Sequence, residues 1–281
     1  MNVLDAVATN PAQIASLRNY LEGGRILVIT GAGVSTGSGI GDYRDERGEW
    51  KRGAPIMHDP YMQEHATRQR YWARSQVGFP QFAAAAPNVV HDVLARWEAA
   101  GLLCGLITQN VDGLHSKAGH QQVLELHGNL HQVVCMSCGA RSSRAGWQHW
   151  LETHNPLVSE DFYTPAPDGD ADTSRQNFSE IAVPACELCG GIVKPDVVFY
   201  GGSVAKAVVQ TAYDWVDQAR VVLVLGSSLM VYSSFRFARR AHTRGIPLLA
   251  VNKGHTRADE LLTMKLDAEC GAVLTALALA D

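Results

Sequence analysis

Four short apolar runs recur along the chain, each leading into a turn with glycine or asparagine. They are Arg25–Thr30, Leu103–Thr108, Val221–Leu225 and Pro247–Val251. The runs are built mainly from Val, Ile and Leu, without the apolar and polar alternation of a strand that faces water on one side. Continuous apolarity of this kind predicts strands buried on both faces, which is typical of a parallel sheet.

The segments between these runs favour helices. Pro87–Ala100 and Val204–Ala219 carry apolar residues at helical spacing. Strands alternating with helices predict an α/β fold with a doubly wound, Rossmann-like parallel sheet. Such folds bind ligands outside the carboxyl ends of the strands. A chain of 281 residues is long enough for this domain and a smaller inserted one.

Two stretches break the alternation and predict the smaller zinc-binding and helical domain. Residues 45–79 are charged and aromatic and predict a helical lid, while residues 131–194 contain two cysteine pairs. Within the latter, residues 152–187 hold eight Asp or Glu and a single Arg, which predicts a long, mobile, acidic excursion. The Rossmann-like domain then comprises residues 1–44, 80–130 and 195–281.

Composition excludes several classes of function. The chain has 24 Lys and Arg against 28 Asp and Glu, a net charge of −4, so we expect neither nucleic acid nor an anionic membrane as a partner. No apolar run approaches the roughly 18–20 residues of a membrane span, and the N-terminal residues do not read as a signal or transit peptide. We expect a cytoplasmic monomer.

The two cysteine pairs predict a metal site. Cys135 and Cys138 form one C-x-x-C unit, Cys186 and Cys189 the other, and a glycine follows each unit. Four thiolates suit one closed, tetrahedral, structural Zn²⁺ per chain. The spacing between the units exceeds the roughly 15–20 residues of common zinc ribbons, and a redox dithiol is the competing interpretation.

A glycine-rich turn follows the first predicted strand. The segment GAGVSTGSGIGDYR, residues 31–44, lets backbone N–H groups approach a pyrophosphate at a helix N-terminus. It departs from G-x-G-x-x-G, because Thr36 occupies the last glycine position. Asp42 and Arg44 could face a phosphate or a ribose, or could be solvated loop charges.

Polar residues also follow the other predicted strands. Gln109, Asn110 and Asp112 place two amides and a carboxylate after the second run, where they could bind a carboxamide or ribose or form an Asx-rich turn. Gly226–Ser228 and Asn252–Gly254 could hold adenosine ribose and phosphate, or act only as helix N-caps.

One histidine stands out among the 11 in the chain. His127 lies in sequence between the Asn110 strand end and the cysteine pairs, so it could act as a base near neutral pH. Because a histidine before a glycine is commonly a turn or a satisfied core residue, this role stays a hypothesis.

Taken together, these motifs resemble the sirtuins, NAD-dependent protein lysine deacylases. GAGVSTGSGIGDYR, TQNVDGLH, LHG, both C-x-x-C units, KPDVVFYG, GSS and VN follow one another in the family's order from about residue 20 to residue 275. The stretch from Asp42 to Arg74 is most similar to class II sirtuins, the branch of the mitochondrial lipoamidase-type enzyme.

The resemblance implies a role for each matching residue. His127 is the implied general base, and Asn110 and Asp112 are implied to line the nicotinamide pocket. The residues implied to bind NAD are Gly31, Ala32, Gly33, Ser35, Asp42, Arg44, Gln109, Asn110, Asp112, Gly226, Ser227, Ser228, Asn252, Lys253, Gly254 and Cys270.

The implied reaction transfers an acyl group. The acyl-lysine carbonyl oxygen attacks the nicotinamide ribose and releases nicotinamide, and His127 then deprotonates a ribose hydroxyl that attacks the acyl carbon. A mono-ADP-ribosyltransferase using the same NAD site is the alternative. A dehydrogenase would leave the zinc module and His127 unexplained, and a non-catalytic binding module would leave the glycine-rich turn idle.

The implied partners are acyl-lysine proteins. In sirtuins, the equivalent of Val197–Gly201, which includes Val198 and Phe199, pairs with the substrate backbone opposite Leu229–Tyr232. Such strand addition gives affinity with little sequence selectivity. An ordinary sheet strand is the alternative for Val197–Gly201.

Two features concern specificity and turnover. Gly41 stands where most sirtuins have proline, which raises the entropy cost of ordering that loop. Tyr71 and Arg74 resemble the pair with which desuccinylating sirtuins hold an acyl carboxylate, so we expect longer or carboxylated acyl groups to be preferred over acetyl. Alternatively, the two residues are simply neighbours on an exposed helix.

Overall fold

A computed structural model describes residues 10–42, 47, 55–160, 163–165, 169–173 and 177–278. The helices are α1 (Pro11–Leu21), α2 (His58–Gln63), α3 (His65–Ala83), α4 (Val89–Ala99), α5 (Leu114–Lys117), α6 (Arg144–His154), α7 (Lys206–Gln218), α8 (Tyr232–Thr243) and α9 (Cys270–Ala278). The strands are β1 (Ile26–Thr30), β2 (Leu103–Thr108), β3 (Val123–Glu125), β4 (Gly128–Cys135), β5 (Arg141–Ser143), β6 (Tyr163–Pro165), β7 (Ala171–Thr173), β8 (Val193–Val197), β9 (Val221–Leu225), β10 (Leu248–Val251) and β11 (Met264–Leu266).

A parallel sheet organises the larger part of the molecule. Its six strands run in the order β11-β10-β9-β1-β2-β3, and every pairing between neighbours is parallel. The four predicted strands are confirmed as β1, β2, β9 and β10, with bounds within one residue. All residues of β1 and β9 are buried, as expected of strands covered on both faces.

Helices cover both faces of this sheet, which makes it doubly wound. Leu17 of α1 and Leu274 of α9 belong to the apolar core on one face. Val216 of α7 and Phe237 of α8 belong to the core on the other. The strand order reverses between β1 and β9, because β2 and β3 extend the sheet on one side of β1 while β10 and β11 extend it beyond β9 on the other, and this reversal leaves a crevice at the carboxyl ends of the strands.

A second, smaller sheet carries the cysteine pairs. Its strands run in the order β5-β4-β8 and are antiparallel. Trp72 of α3 packs into the same core as Val133 of β4, Leu151 of α6 and Val193 of β8. The described part of the segment predicted as a lid, residues 55–79, is therefore helical and supplies core to the smaller sheet.

The acidic span 152–187 is packed rather than loosely attached wherever the structure describes it. Val158, Ala171 and Ile181 are buried against Ala73 and Val77 of α3. The prediction of a long mobile excursion is therefore wrong for these residues, because apolar side chains among the acidic ones anchor the span. Among the described residues, no helix combines the length and the apolar character needed to cross a bilayer.

Candidate active site

One cavity of about 860 Å³ lies at the carboxyl ends of the parallel strands. Gly31, Gln109, Gly226 and Asn252 line it, and each directly follows one of the strands β1, β2, β9 and β10. The volume falls in the usual range for sites that bind small molecules and cofactors. A cavity therefore lies at the edge of the sheet where the sequence predicts the ligand site.

The glycine-rich turn allows two loops to approach each other closely. A Cβ atom on Gly31 would lie 2.7 Å from Cβ of Ser227, and one on Gly33 would lie 2.8 Å from Cα of Gly226. The Gly33 N–H donates to the Gly226 carbonyl at 2.9 Å. These two positions require glycine because any side chain would push the β1 and β9 turns apart.

A polar network lies behind the cavity wall. Asn110 Nδ2 donates to the Gly31 carbonyl at 3.1 Å and to Ser35 Oγ at 3.0 Å, and the Ser35 hydroxyl donates to Asp112 Oδ2 at 2.7 Å. Asp112 Oδ1 accepts from the Leu114 N–H at 2.9 Å. Asn110 thereby turns its amide nitrogen inward, which leaves its Oδ1 oxygen to accept a hydrogen bond from a ligand such as a carboxamide.

This network corrects the expected position of Asp112. The carboxylate is buried, both of its oxygens are satisfied by protein groups, and it does not line the cavity. Ser35, also buried, stands between Asp112 and Asn110. Both residues therefore position Asn110 instead of contacting a ligand directly.

His127 is held in one tautomer. Its Nδ1 lies 3.0 Å from the backbone carbonyl of Gln109 and its Nε2 lies 2.7 Å from the Ser233 hydroxyl oxygen. Since a carbonyl only accepts hydrogen bonds, Nδ1 carries the proton and Nε2 presents its lone pair. Burial lowers the pKa of His127 below its usual value, which keeps the imidazole neutral near pH 7.

Most of the other predicted NAD residues reach the cavity. The residues that line it are Gly31, Ala32, Gly33, Asp42, Gln109, Asn110, Gly226, Ser227, Ser228, Asn252, Lys253 and Cys270. Gly254 does not line it, since its N–H donates to Asp267. Arg44 lies outside the described residues. Burial raises the pKa of Cys270 to about 12, so this thiol is neutral and donates to the Val251 carbonyl.

The predicted substrate residues separate into two groups. Val198, Phe199 and Tyr71 line the cavity. Arg74 does not line it, because its guanidinium pairs with Asp170 at 3.0 Å and also donates to the Ala171 carbonyl. The structure thus places Tyr71 at the site and engages Arg74 elsewhere.

Ser233 is the main functional residue that sequence reasoning missed. It belongs to α8 and reaches His127 from 106 positions away. No local motif marks such a contact, although Ser233 follows closely after the Gly226–Ser228 turn. Thr36, Ile56 and Arg236 also line the cavity and were not predicted.

The four cysteines converge as expected of a zinc site. The four Sγ atoms lie within 4.8 Å of one another, and Cys135 and Cys189 bring theirs to 3.5 Å. Tetrahedral Zn²⁺ with Zn–S bonds of about 2.3 Å needs sulfur atoms roughly 3.8 Å apart. Backbone N–H groups of Ser137 and Cys138 donate to the Cys135 sulfur, which favours a thiolate there. The donor set fits one Zn²⁺, and all four cysteines are free of disulfides.

Comparisons with known proteins agree with this architecture. The Sir2 family model matches residues 31–233. NAD-dependent protein deacetylase 2 of Bradyrhizobium diazoefficiens is 53% identical over 90% of this chain and 93% of the relative. The mitochondrial NAD-dependent protein lipoamidase sirtuin-4 of Bos taurus is 43% identical over 94% of this chain and 85% of the relative.

Solved structures show the same fold. A Sir2 structure with a deacetylated p53 peptide and 3′-O-acetyl ADP-ribose superposes with a TM-score of 0.78 and 28% identity, covering 95% of this chain and 98% of the other. A complex of Sir2, p53 peptide and NAD⁺ gives a TM-score of 0.72 at 27% identity, with the same coverage. The chain belongs to the Sir2 family, the sirtuins.

Proposed function

We propose that this chain is an NAD-dependent protein lysine deacylase, which transfers the acyl group of acyl-lysine to ADP-ribose and releases nicotinamide. The observation that carries the proposal is the His127 imidazole, oriented by the Gln109 carbonyl in the same cavity that the glycine-rich turn lines. The names of the bacterial relatives, NAD-dependent protein deacetylases, support the same activity.

His127 is the general base of this proposal. The Gln109 carbonyl fixes the Nδ1–H tautomer, and the lowered pKa keeps the Nε2 lone pair unprotonated near pH 7. The Ser233 hydroxyl contacts that lone pair at 2.7 Å and must rotate or shift when a ligand hydroxyl takes its place. A base held this way needs no metal ion for its role, and the cysteine site then has a purely structural role.

The strand ends of the parallel sheet would hold NAD. When bound, NAD supplies the ribose carbon that the substrate oxygen attacks and the hydroxyl that receives the acyl group. Asn110 presents an oxygen suited to a carboxamide, while Ser227, Ser228 and Asn252 present polar groups to a ribose or phosphate. In this division, the Rossmann-like residues bind NAD and the segments 45–79 and 131–194 form the smaller domain.

The substrate backbone would enter as an added strand. Val198 and Phe199 line one side of the cavity and Leu229–Tyr232 another. The Val198 N–H donates to the His127 carbonyl at 2.8 Å, which ties this wall to the base.

We infer that the acyl chain enters the part of the cavity lined by Ile56, Tyr71 and Phe199. Because these side chains are apolar and aromatic, this part of the cavity favours longer, uncharged acyl chains. A carboxylated acyl group would need Arg74 to leave Asp170, with which it makes a close ion pair. We therefore place butyryl and lipoyl groups ahead of succinyl among the substrates of this chain.

The test measures nicotinamide release from NAD with and without an acyl-lysine peptide. The proposal expects release only with the peptide, with near-complete loss of deacylation in His127→Ala and normal activity in His149→Ala, an exposed histidine on α6. Release that occurs without acyl-lysine, with ADP-ribose transferred to protein, would instead favour the mono-ADP-ribosyltransferase. An acetyl, butyryl, lipoyl and succinyl panel tests the acyl preference.

A further inference from the structure

An exposed tyrosine surrounded by arginines stands at the mouth of the cavity. Tyr232, the first residue of α8, is 45% exposed. The guanidinium carbons of Arg236, Arg239 and Arg257 lie 5.2, 5.4 and 5.8 Å from its ring centroid. Arg239 also donates to the Tyr232 hydroxyl at 2.7 Å. We call these three arginines the arginine triad; their cation–π contacts hold them together around one ring.

The arginine triad has no acidic counterpart within the part of the chain that the structure describes. No carboxylate among those residues comes within 4.0 Å of a triad guanidinium. The neighbouring Arg240 and Arg244 differ, because both pair with Asp217, at 2.6 and 2.9 Å. Their hydrogen bonds lower the pKa of Asp217 to about 2. The triad thus concentrates positive charge at one place in a chain of net charge −4.

The triad is also connected to the segment that lines the cavity. The Arg257 N–H donates to the Ser228 carbonyl at 2.9 Å, and its guanidinium donates to the Met230 carbonyl at 3.0 Å. Tyr232 and Arg236 line the cavity together with His127. A peptide that pairs with residues 229–232 would therefore lie beside the arginine triad.

We propose that the arginine triad selects substrates with Asp or Glu close to the acyl-lysine in sequence. This inference rests on the proposed deacylase function and adds a specificity determinant outside the catalytic centre. Guanidinium groups suit carboxylates because they can donate two parallel hydrogen bonds. Contacts at such an exposed surface are screened by salt, so we expect acidic flanks to tighten peptide binding about tenfold at low ionic strength.

The test is fluorescence anisotropy with acetyl-lysine peptides and the full-length, zinc-loaded protein in the absence of NAD. Matched peptides carry Glu, Gln or Lys on the N-terminal or the C-terminal flank. We expect the Glu peptide of at least one flank to bind about tenfold more tightly than its Gln counterpart, and added salt to remove the difference. Arg236→Gln with Arg239→Gln should remove it too, whereas the control Arg244→Gln should retain it.

Two results would overturn the inference while leaving the deacylase intact. One is equal affinity for Glu and Gln peptides on the wild-type protein. The other is preserved discrimination in the double variant; if that variant also binds NAD more weakly by calorimetry, the arginines belong to the cofactor site instead. If neither an acetyl-lysine nor a butyryl-lysine peptide binds, the proposed function fails together with this inference.

Discussion

Lys194 buries an ammonium group next to the cavity, and its removal should change how stability depends on pH. The residue is 5% exposed, and its Nζ donates to the carbonyls of Pro195 and Val197 and lies 4.7 Å from the Phe199 ring centroid. Burial lowers its pKa to about 8. Lys194 thus supports the wall containing Phe199 while carrying a charge that the interior disfavours.

The pKa difference sets the size of the effect. An unfolded lysine titrates near pH 10.4, so the shift corresponds to a cost of about 3 kcal/mol for the charged form of Lys194 in the folded protein. Because the folded state holds this proton less tightly, the penalty is fully present below about pH 8 and disappears as the pH rises toward 10.4. Between about pH 7 and pH 9, the wild-type protein should gain about 1.3 kcal/mol from this residue.

Lys194→Met isolates this contribution. We expect the free energy of urea unfolding of the wild type, minus that of Lys194→Met, to rise by about 1.3 kcal/mol from about pH 7 to pH 9. Subtracting the variant's free energy of unfolding from that of the wild type cancels the contributions of the titrating groups that both proteins share. The exposed Lys206→Met is the control for loss of a lysine outside the interior. A flat difference for Lys194→Met would refute the argument that burial suppresses its charge.

Three further predictions concern the zinc site, the base and the glycine-rich turn. A chelator that removes zinc from the four cysteine thiolates should lower the free energy of unfolding by roughly 3 kcal/mol or more and abolish activity. Calorimetry would measure the first effect, and re-addition of zinc would test whether activity returns. Because burial lowers the pKa of His127, the loss of kcat/KM for deacylation on the acid side should begin at a lower pH than for a histidine with its usual pKa; an onset at or above that pH would argue against this. Gly33→Ala should cost about 1–3 kcal/mol of stability and most NAD affinity, since its Cβ would lie 2.8 Å from Gly226, whereas Gly146→Ala has open space and should do neither.

The parallel sheet was predictable from local pattern, and its short edge strands were not. β1 and β9 are continuous apolar runs that are buried on both faces, so composition alone marks them. β3 and β11 have three residues each, too few for any pattern to distinguish them from loop. The metal site was equally predictable from the two cysteine pairs, because the C-x-x-C spacing itself defines the turn that presents two sulfur atoms.

Contacts between distant segments could not be read from the sequence. Arg74 meets Asp170 across 96 positions, and this pair takes Arg74 away from the cavity that Tyr71 lines. Asp112 follows Asn110 by two residues, yet its side chain faces the interior, where Ser35 bonds it. Motif order predicted which residues gather at the strand ends, whereas the direction of each side chain depended on partners elsewhere in the fold.

The destination of the acyl group tests the central claim most directly. Mass spectrometry of the products from NAD and a butyryl-lysine peptide should show equal amounts of free lysine peptide, nicotinamide and O-butyryl-ADP-ribose with the wild type. With His127→Ala, O-butyryl-ADP-ribose should be absent. Nicotinamide release in which every lysine remains acylated, or ADP-ribose appears on protein, would contradict the acyl transfer proposed for this chain.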